Sequence, residues 1–350
     1  MKIVSVVGAR PQFIKAAVVS RQIRQRHLEI LVHTGQHYDP QLSDVFFSEL
    51  GLPAPDHQLG VGSASHGRQT AQMLERLEPV LLEERPDRVL VYGDTNSTLA
   101  GALAAAKLNL PLAHVEAGLR SYDRRMPEEL NRVLTDHCAD LLFCPSAVAV
   151  DNLAREGITA GVHLVGDVMY DSLLRQVGDG RTDSSLLALW SVSAGEYVLA
   201  TVHRAANTDD PARLEFILRA LGGLSRPVIF PLHPRTRQAM AAAGLSAAPN
   251  VRLLEPLGYR EMLTLERNAR CILTDSGGVQ KEAFFLGVPC VTLREETEWP
   301  ETVECGWNVL AGADVDRILA AVDRPPPAEK PPALFGDGHA AEKIVRVLEG

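Results

Sequence analysis

The chain has 350 residues, long for one domain and comfortable for two. Hydrophobic residues make up 46% and charged residues 23%, enough to fill the cores of a globular protein. A formal net charge of −9 argues against nucleic acid or an anionic membrane as the main partner, yet leaves room for a small anion in a locally positive pocket.

No apolar run approaches the roughly 20 residues needed to span a bilayer, and the short apolar stretch Ile3–Val7 runs straight into Gly8-Ala9-Arg10-Pro11 rather than a signal sequence. The five cysteines, at 138, 144, 271, 290 and 305, form no CxxC pair and no metal spacing. Buried free thiols in a reducing compartment follow, so the expectation is a soluble cytoplasmic protein without metal.

Along the first half, apolar runs predict strands at Lys2–Val7, Glu29–Thr34, Arg88–Tyr92, Leu112–Glu116, Leu141–Cys144 and Val162–Val165. Helix-period segments lie between them, among them Arg68–Glu84 and Ser97–Lys107. The stretch Gly178–Gly195 reads as turn and linker. The pattern then resumes with strands at Tyr197–Thr201, Val228–Pro231, Val251–Leu254, Cys271–Thr274 and Cys290–Leu293. A proline-rich linker, Arg324–Pro332, leads to an amphipathic helix near His339–Leu348. Fully apolar strands separated by helices predict an α/β fold of two doubly wound, Rossmann-like domains with parallel sheets. The expected division is 1–168, rejoined by 337–350, and 169–336. Such sheets bind ligands at the carboxyl ends of their strands, so the active site is expected in the interdomain cleft.

The motifs fall at those strand ends. Gly8 to Lys15 follows the first strand and opens a helix, where free N–H groups, Arg10 and Lys15 suit a phosphate. It lacks GxGxxG and is no dinucleotide fingerprint. Asp94 follows the third predicted strand, either as a helix cap or as a functional carboxylate. Glu116 closes the next strand, with Arg120 available as a purely structural partner. Pro127-Glu128-Glu129 suits a first helical turn, and the same Glu128 can instead join Asp94 and Glu116 in an acid/base set. In the second half, His203-Arg204 follows a strand, and His233-Pro234 follows another. Asp275-Ser276-Gly277-Gly278 opens a helix that carries Glu282, where small residues let a diphosphate approach the backbone and Glu282 faces a ribose diol.

Together these segments resemble the non-hydrolysing UDP-N-acetylglucosamine 2-epimerases: GARPQFIK, TGQHYD, GDTNST, HVEAGLRS, PEELNR, the His-Arg pair at 203–204, TDSGGVQKEA and TEWPE, in the family's order over nearly the whole chain. The resemblance implies the two-domain arrangement shared with GT-B glycosyltransferases, a last helix crossing back to the first domain, a homodimer, and neither metal nor nicotinamide. It implies elimination of UDP across C1–C2 to a 2-acetamidoglucal and re-addition with the proton on the other face. Asp94, Glu116 and Glu128 would be the sugar-site carboxylates. Arg10, Lys15, His203 and Arg204 would hold diphosphate, and Ser276, Gly277, Gly278 and Glu282 phosphate and ribose. Domain closure would retain the glycal.

Gln36, His37 and Arg68 match the site where a second UDP-N-acetylglucosamine activates some bacterial members, whereas Asp39 and Ala206 depart from it. The basic segment before Pro127, with Arg124 and Arg125, and the run Arg294–Trp299 are similar to a subgroup that includes 2-epimerases for UDP-2,3-diacetamido-2,3-dideoxy-glucuronic acid. That substrate is the alternative within the class, with an arginine for its carboxylate. A glycosyltransferase of the same fold and a non-catalytic sugar-nucleotide sensor are the rivals outside it.

Overall fold

The computed structural model describes residues 1–36, 47, 50–178 and 184–350. The chain divides into two compact units, Met1–Arg175 with Ala333–Gly350, and Gln176–Pro332.

The first unit is wound on a seven-stranded sheet of order β3-β2-β1-β4-β5-β6-β7. Its strands are β1 (Lys2–Val7), β2 (Leu28–His33), β3 (His57–Gln58), β4 (Arg88–Tyr92), β5 (Leu112–Val115), β6 (Leu141–Cys144) and β7 (Val162–Leu164). Every pairing is parallel. Parallel strands need crossover helices, which cover both faces, and the central strands are mostly apolar for that reason. Register sets Val4 beside Val89 and Val6 beside both Val32 and Val91. These valines bury one face against Leu77, Leu81 and Ala102.

Small residues decide how closely the helix Asn96–Lys107 sits. A methyl group on Gly101 would lie 2.8 Å from Val91 Cγ1, so the helix backbone touches the sheet where a larger residue would hold it off. The predicted strands Lys2–Val7, Arg88–Tyr92 and Leu141–Cys144 keep their bounds, and the helix expected from Arg68 begins at His66.

The second unit repeats the plan with a six-stranded parallel sheet, β10-β9-β8-β11-β12-β13. Here β8 is Val198–Thr201, β9 Val228–Pro231, β10 Val251–Leu254, β11 Cys271–Thr274, β12 Cys290–Thr292 and β13 Asn308–Leu310. Val198, Ala200, Val228, Phe230 and Leu273 form its larger core with the helix Pro211–Gly223.

Three elements depart from the sequence reading. The linker read over 178–195 contains a helix, Ser184–Leu189. Leu187 drives it by packing beneath Tyr197, Leu199 and Leu265, a pull that the polar run preceding it conceals. Both β3 and β13 are edge strands of two and three residues, too short to show a period.

The final helix, Ala340–Glu349, packs on Arg10–Ile23 through a face that buries Ile344, Val345 and Leu348. Its first turn is received by Asp171, whose carboxylate accepts from the backbone N–H of Ala340 (3.1 Å) and Ala341 (2.8 Å). Burial pushes the Asp171 carboxyl up to about 6, against the pull of those two N–H bonds. An acid raised in the folded state takes up protons on folding, so its ionisation lowers stability as pH climbs from the unfolded value near 3.8 through 6. Asp171→Asn removes that slope. The unfolding free energy of the variant, set against the native chain's, is expected to rise between pH 4 and 7 and to be level above it, measured by denaturant titration at each pH.

All five cysteines are free thiols. Among the described residues no cluster of His, Cys, Asp and Glu forms a metal site, and no helix is long and apolar enough to cross a membrane.

Candidate active site

In a doubly wound sheet a crevice opens where the strand order reverses, beyond the carboxyl ends of the two central strands. Those strands are β1 and β4 in the first unit and β8 and β11 in the second. Four of the sequence motifs leave these strand ends, at Gly8, Gly93, Val202 and Asp275, and the motif carrying Glu116 leaves β5, next to β4.

In the first unit the turns after β1 and β4 are stitched by one amide. Gln12 Oε1 accepts from the N–H of Gly8 (2.8 Å) and Ala9 (3.0 Å), and its Nε2 donates to the Tyr92 carbonyl (2.9 Å) and Thr98 Oγ1 (3.0 Å). Gly8 is obligatory, since a methyl group there would meet Thr34 Oγ1 at 2.0 Å and Ser97 Oγ at 2.2 Å. The helix Arg10–Ile23 thus starts at a fixed point, with Arg10 half-buried at its first position.

One turn later Lys15 is buried and forms an ion pair with Glu116, at the end of β5. Glu116 therefore has a cation in place, and it is Lys15 rather than Arg120. The Arg120 guanidinium goes instead to Asp136 (2.7 Å) and Glu156 (2.7 Å). Glu116 is held at φ 71°, a left-handed conformation costly for a side-chain-bearing residue, and its N–H and that of Ala117 both donate to the Phe143 carbonyl (3.1 Å). Gly93 is the other forced position. It has φ 62°, and a methyl group there would lie 2.9 Å from Lys15 Nζ.

Asp94 does not cap the following helix. That task falls to Thr95, whose hydroxyl accepts from the Thr98 N–H (3.3 Å). The Asp94 carboxylate instead receives two donors from the buried Arg132, Nε at 3.0 Å and Nη2 at 2.6 Å. The same guanidinium reaches Glu129 (2.8 Å). Glu129 is committed to structure, accepting from the N–H of Ser121 (2.8 Å) and Tyr122 (2.9 Å) and so folding the loop before Pro127. Its neighbour Glu128 is half-buried in the first turn of Pro127–Cys138. Arg132 lies inside the PEELNR motif, but its part as the Asp94 partner was not visible in the sequence. The available signal was an arginine one turn after a Glu-Glu pair on one helix.

The residues matched to an effector site fall beside this set. Gln36 Oε1 accepts from the Ser97 N–H (3.0 Å) and hydroxyl (2.8 Å), and Arg68 is exposed near the start of His66–Glu84. His37 lies outside the described residues.

In the second unit the buried Asp275 organises the turn after β8. Its oxygens accept from the backbone N–H of His203 (3.0 Å) and Arg204 (2.9 Å) and from Asn207 Nδ2 (3.1 Å), with His203 Nδ1 at 3.4 Å. The half-buried His203 ring lies 5.4 Å, centroid to centroid, from that of His233, and Arg204 is the half-buried N-cap of a one-turn helix. Ser276 caps Gly277–Leu286, so Gly277 and Gly278 present the first free N–H groups of a helix, a ready anion site. Glu282 is buried a turn and a half in. The TEWPE loop is fastened to the same helix: Thr297 donates to Gln280 Oε1 (2.6 Å), and the buried Lys281 sits 4.1 Å over the Trp299 ring. Arg294 is buried against Glu298 (2.9 Å) and Glu296 (3.1 Å), while Arg125 pairs with Asp123 (2.8 Å) at the surface and Arg124 is exposed.

These features define an α/β protein of two Rossmann-like units, one carrying cation-paired carboxylates and the other an anion-binding helix start. The profile of the family described as UDP-N-acetylglucosamine 2-epimerase matches residues 21–349. The chain belongs to that family. A UDP-N-acetylglucosamine 2-epimerase homolog of Methanococcus maripaludis is 54% identical, covering 99% of each chain. The UDP-2,3-diacetamido-2,3-dideoxy-D-glucuronate 2-epimerase of Pseudomonas aeruginosa is 51% identical over the same share. The crystal structure of Methanocaldococcus jannaschii UDP-GlcNAc 2-epimerase in complex with UDP-GlcNAc and UDP superposes with a TM-score of 0.92, at 43% identity, covering 100% of this chain and 99% of that one.

The Lys15–Glu116 pair is buried on both sides, so removing either charge strands the other. Lys15→Met and Glu116→Gln are each expected to lower unfolding free energy by about 3 kcal/mol. The double variant is expected to lose clearly less than their sum. Urea unfolding of the four chains measures the cycle.

Proposed function

We propose that the chain interconverts UDP-N-acetylglucosamine and UDP-N-acetylmannosamine without net hydrolysis. One observation carries the reading. Two carboxylates at neighbouring strand ends, Asp94 and Glu116, each meet a cation rather than serving as helix caps.

The C2 proton of the sugar has no adjacent carbonyl, so it is removed only as UDP departs. A carboxylate takes the proton from C2. The C1–O bond breaks with its electron pair going to the β-phosphate oxygen, and C1=C2 forms, giving 2-acetamidoglucal and UDP. In the return step a carboxylic acid on the opposite face protonates C2, and the phosphate oxygen closes on C1. Inversion at C2 thus needs two proton-carrying groups, one for each face, which a single base does not provide. Asp94, Glu116 and Glu128 are the groups assigned to this work. Lys15 and Arg132 hold Glu116 and Asp94 in place as their ion-pair partners.

The departing UDP takes up negative charge, and its diphosphate is assigned to His203, Arg204, Arg10 and the helix start at Ser276, Gly277 and Gly278, with Glu282 on the ribose. Gln36, His37 and Arg68 are assigned to a second nucleotide-sugar acting as effector.

A second reading has a specific basis in the close relative that acts on a carboxylated diacetamido sugar, together with the exposed Arg124. The test separates the two. The protein is incubated in D2O with each UDP-sugar and followed by proton and phosphorus NMR. The expected outcome is growth of UDP-N-acetylmannosamine with deuterium at C2 and no accumulation of UDP. Exchange confined to the carboxylated sugar would transfer the assignment to that substrate, and no exchange with either would sink both readings. Asp94→Asn and Glu116→Gln are each expected to slow exchange by about 10²-fold or more while UDP binding is retained.

The homodimer belongs to the same proposal. Leu130 and Leu134, one turn apart on Pro127–Cys138, are 40% and 47% exposed, and Tyr122 is 65% exposed. An apolar face of this kind suits contact with a second copy. Light scattering is expected to give twice the chain mass, and Leu134→Glu to give monomer.

A further inference from the structure

His114 sits on β5, two residues before Glu116, and its ring is fully buried. Its Nδ1 lies 2.7 Å from Asp136 Oδ1 and its Nε2 lies 2.8 Å from the carbonyl oxygen of Gly93. The protonation of this ring follows from counting donors and acceptors. Asp136 Oδ2 accepts from the Gly118 N–H (3.1 Å) and from Arg120 Nη1 (2.7 Å), two groups that can only donate. Facing the permanently charged Arg120 guanidinium at 2.7 Å in a buried pair, Asp136 is held as a carboxylate. Burial pushes its carboxyl up, and the His114 and Arg120 bonds and charges outweigh that and bring it below the ordinary carboxylate value. A carboxylate facing Nδ1 requires a proton on Nδ1. A carbonyl facing Nε2 has no hydrogen to give, so it requires a proton on Nε2. Beyond these acceptors, the titratable groups around the pair are Arg120, whose own second partner is Glu156, and Cys144, whose buried thiol is pushed up to about 12 and stays neutral.

We infer that His114 is a buried imidazolium and the positioning residue that sets the two proton-carrying turns of the proposed reaction. One ring nitrogen grips the carbonyl of Gly93, the residue before Asp94. The other grips Asp136, which in turn holds the N–H of Gly118, two residues after Glu116. The turns bearing Asp94 and Glu116 come from different strands; the Gly93 N–H donates to the Val115 carbonyl (2.9 Å), and the ring with its carboxylate adds a second tie between them. Gly93 and Gly118 both have positive φ, 62° and 81°, and Glu116 between them has φ 71°. Three such residues in two facing turns need a fixed partner to hold them. Neutral histidine has one donor and cannot hold both turns. The ring touches no substrate in this scheme; it acts through the placement of Asp94 and Glu116.

The inference rests on the assignment of those two carboxylates to C2 chemistry, and its test separates the two claims. Full-length protein with 15N-histidine is examined by long-range proton–nitrogen correlation NMR at pH 7.5. His114 is assigned in the native chain through its ring-proton contacts, so that no variant has to fold. Two protonated ring nitrogens are expected, and one bare nitrogen would overturn the inference whatever the enzyme turns over. In kinetics, His114→Gln keeps the bulk and one donor but loses the charge. It is expected to lower kcat by about 10²-fold, the scale of a misplacement near 1 Å, with KM and UDP affinity little changed. An unchanged kcat in the folded variant would overturn the positioning role. Asp136→Asn gives a second route: loss of one ring proton together with the same fall in kcat is expected, and retention of both protons at full kcat would overturn it. If the native chain exchanged no C2 proton at all, the proposed function would fail, and the ring spectrum alone would still decide the state of His114.

Discussion

Charge brought to the end of a buried parallel strand has to be matched on the spot, and that requirement shapes the whole site. β4 and β5 are largely buried, so a carboxylate one or two residues beyond them stands at the edge of a low-dielectric region. Each one is met by a cation from a different helix: Lys15 from Arg10–Ile23 for Glu116, and Arg132 from Pro127–Cys138 for Asp94. The helices cannot shift without unpairing these charges. The pairs thus locate two helices against the sheet.

The second unit answers the same constraint with different chemistry. Its buried charge is Asp275, and most of its partners are backbone N–H groups rather than a cation. A carboxylate that spends its lone pairs on the chain fixes the path of that chain, here the turn carrying His203 and Arg204. The next residue, Ser276, opens the helix whose first free N–H groups are at Gly277 and Gly278. One strand end therefore builds both parts of an anion site, one through a side chain and one through a helix start.

Much of this was legible in the sequence for physical reasons. Strands covered on both faces are largely apolar runs, and most of the residues singled out from Arg10 to Glu282 stand in the turns and helix starts beyond strand ends, where the winding rule puts ligands. What escaped was pairing. Arg120 and Lys15 were both available to Glu116, and one-dimensional spacing favours Arg120, four residues away. The structure chooses Lys15 because β1 and β4 are neighbours in the sheet and β5 lies next to β4, so Lys15, early in the first helix, reaches Glu116 at the end of β5. Arg132 and Asp275 escaped for the same reason, since each works through a partner far away in the chain. The helix Ser184–Leu189 was hidden differently: its one deeply packed leucine, Leu187, lies behind a polar run that dominates any window of composition.

In the proposed reaction a base on one sugar face is ionised while the acid on the other is protonated, and the roles exchange when it runs backward. Asp94 and Glu116 are each paired with a cation of their own. Asymmetry then comes from the partners. Lys15 offers a compact point charge that is itself buried, whereas Arg132 offers a planar fork shared between Asp94 and Glu129. Glu116, at 7% exposure and in a strained backbone conformation, has little freedom to move toward a substrate. Asp94 is more open, on a turn set by Gly93.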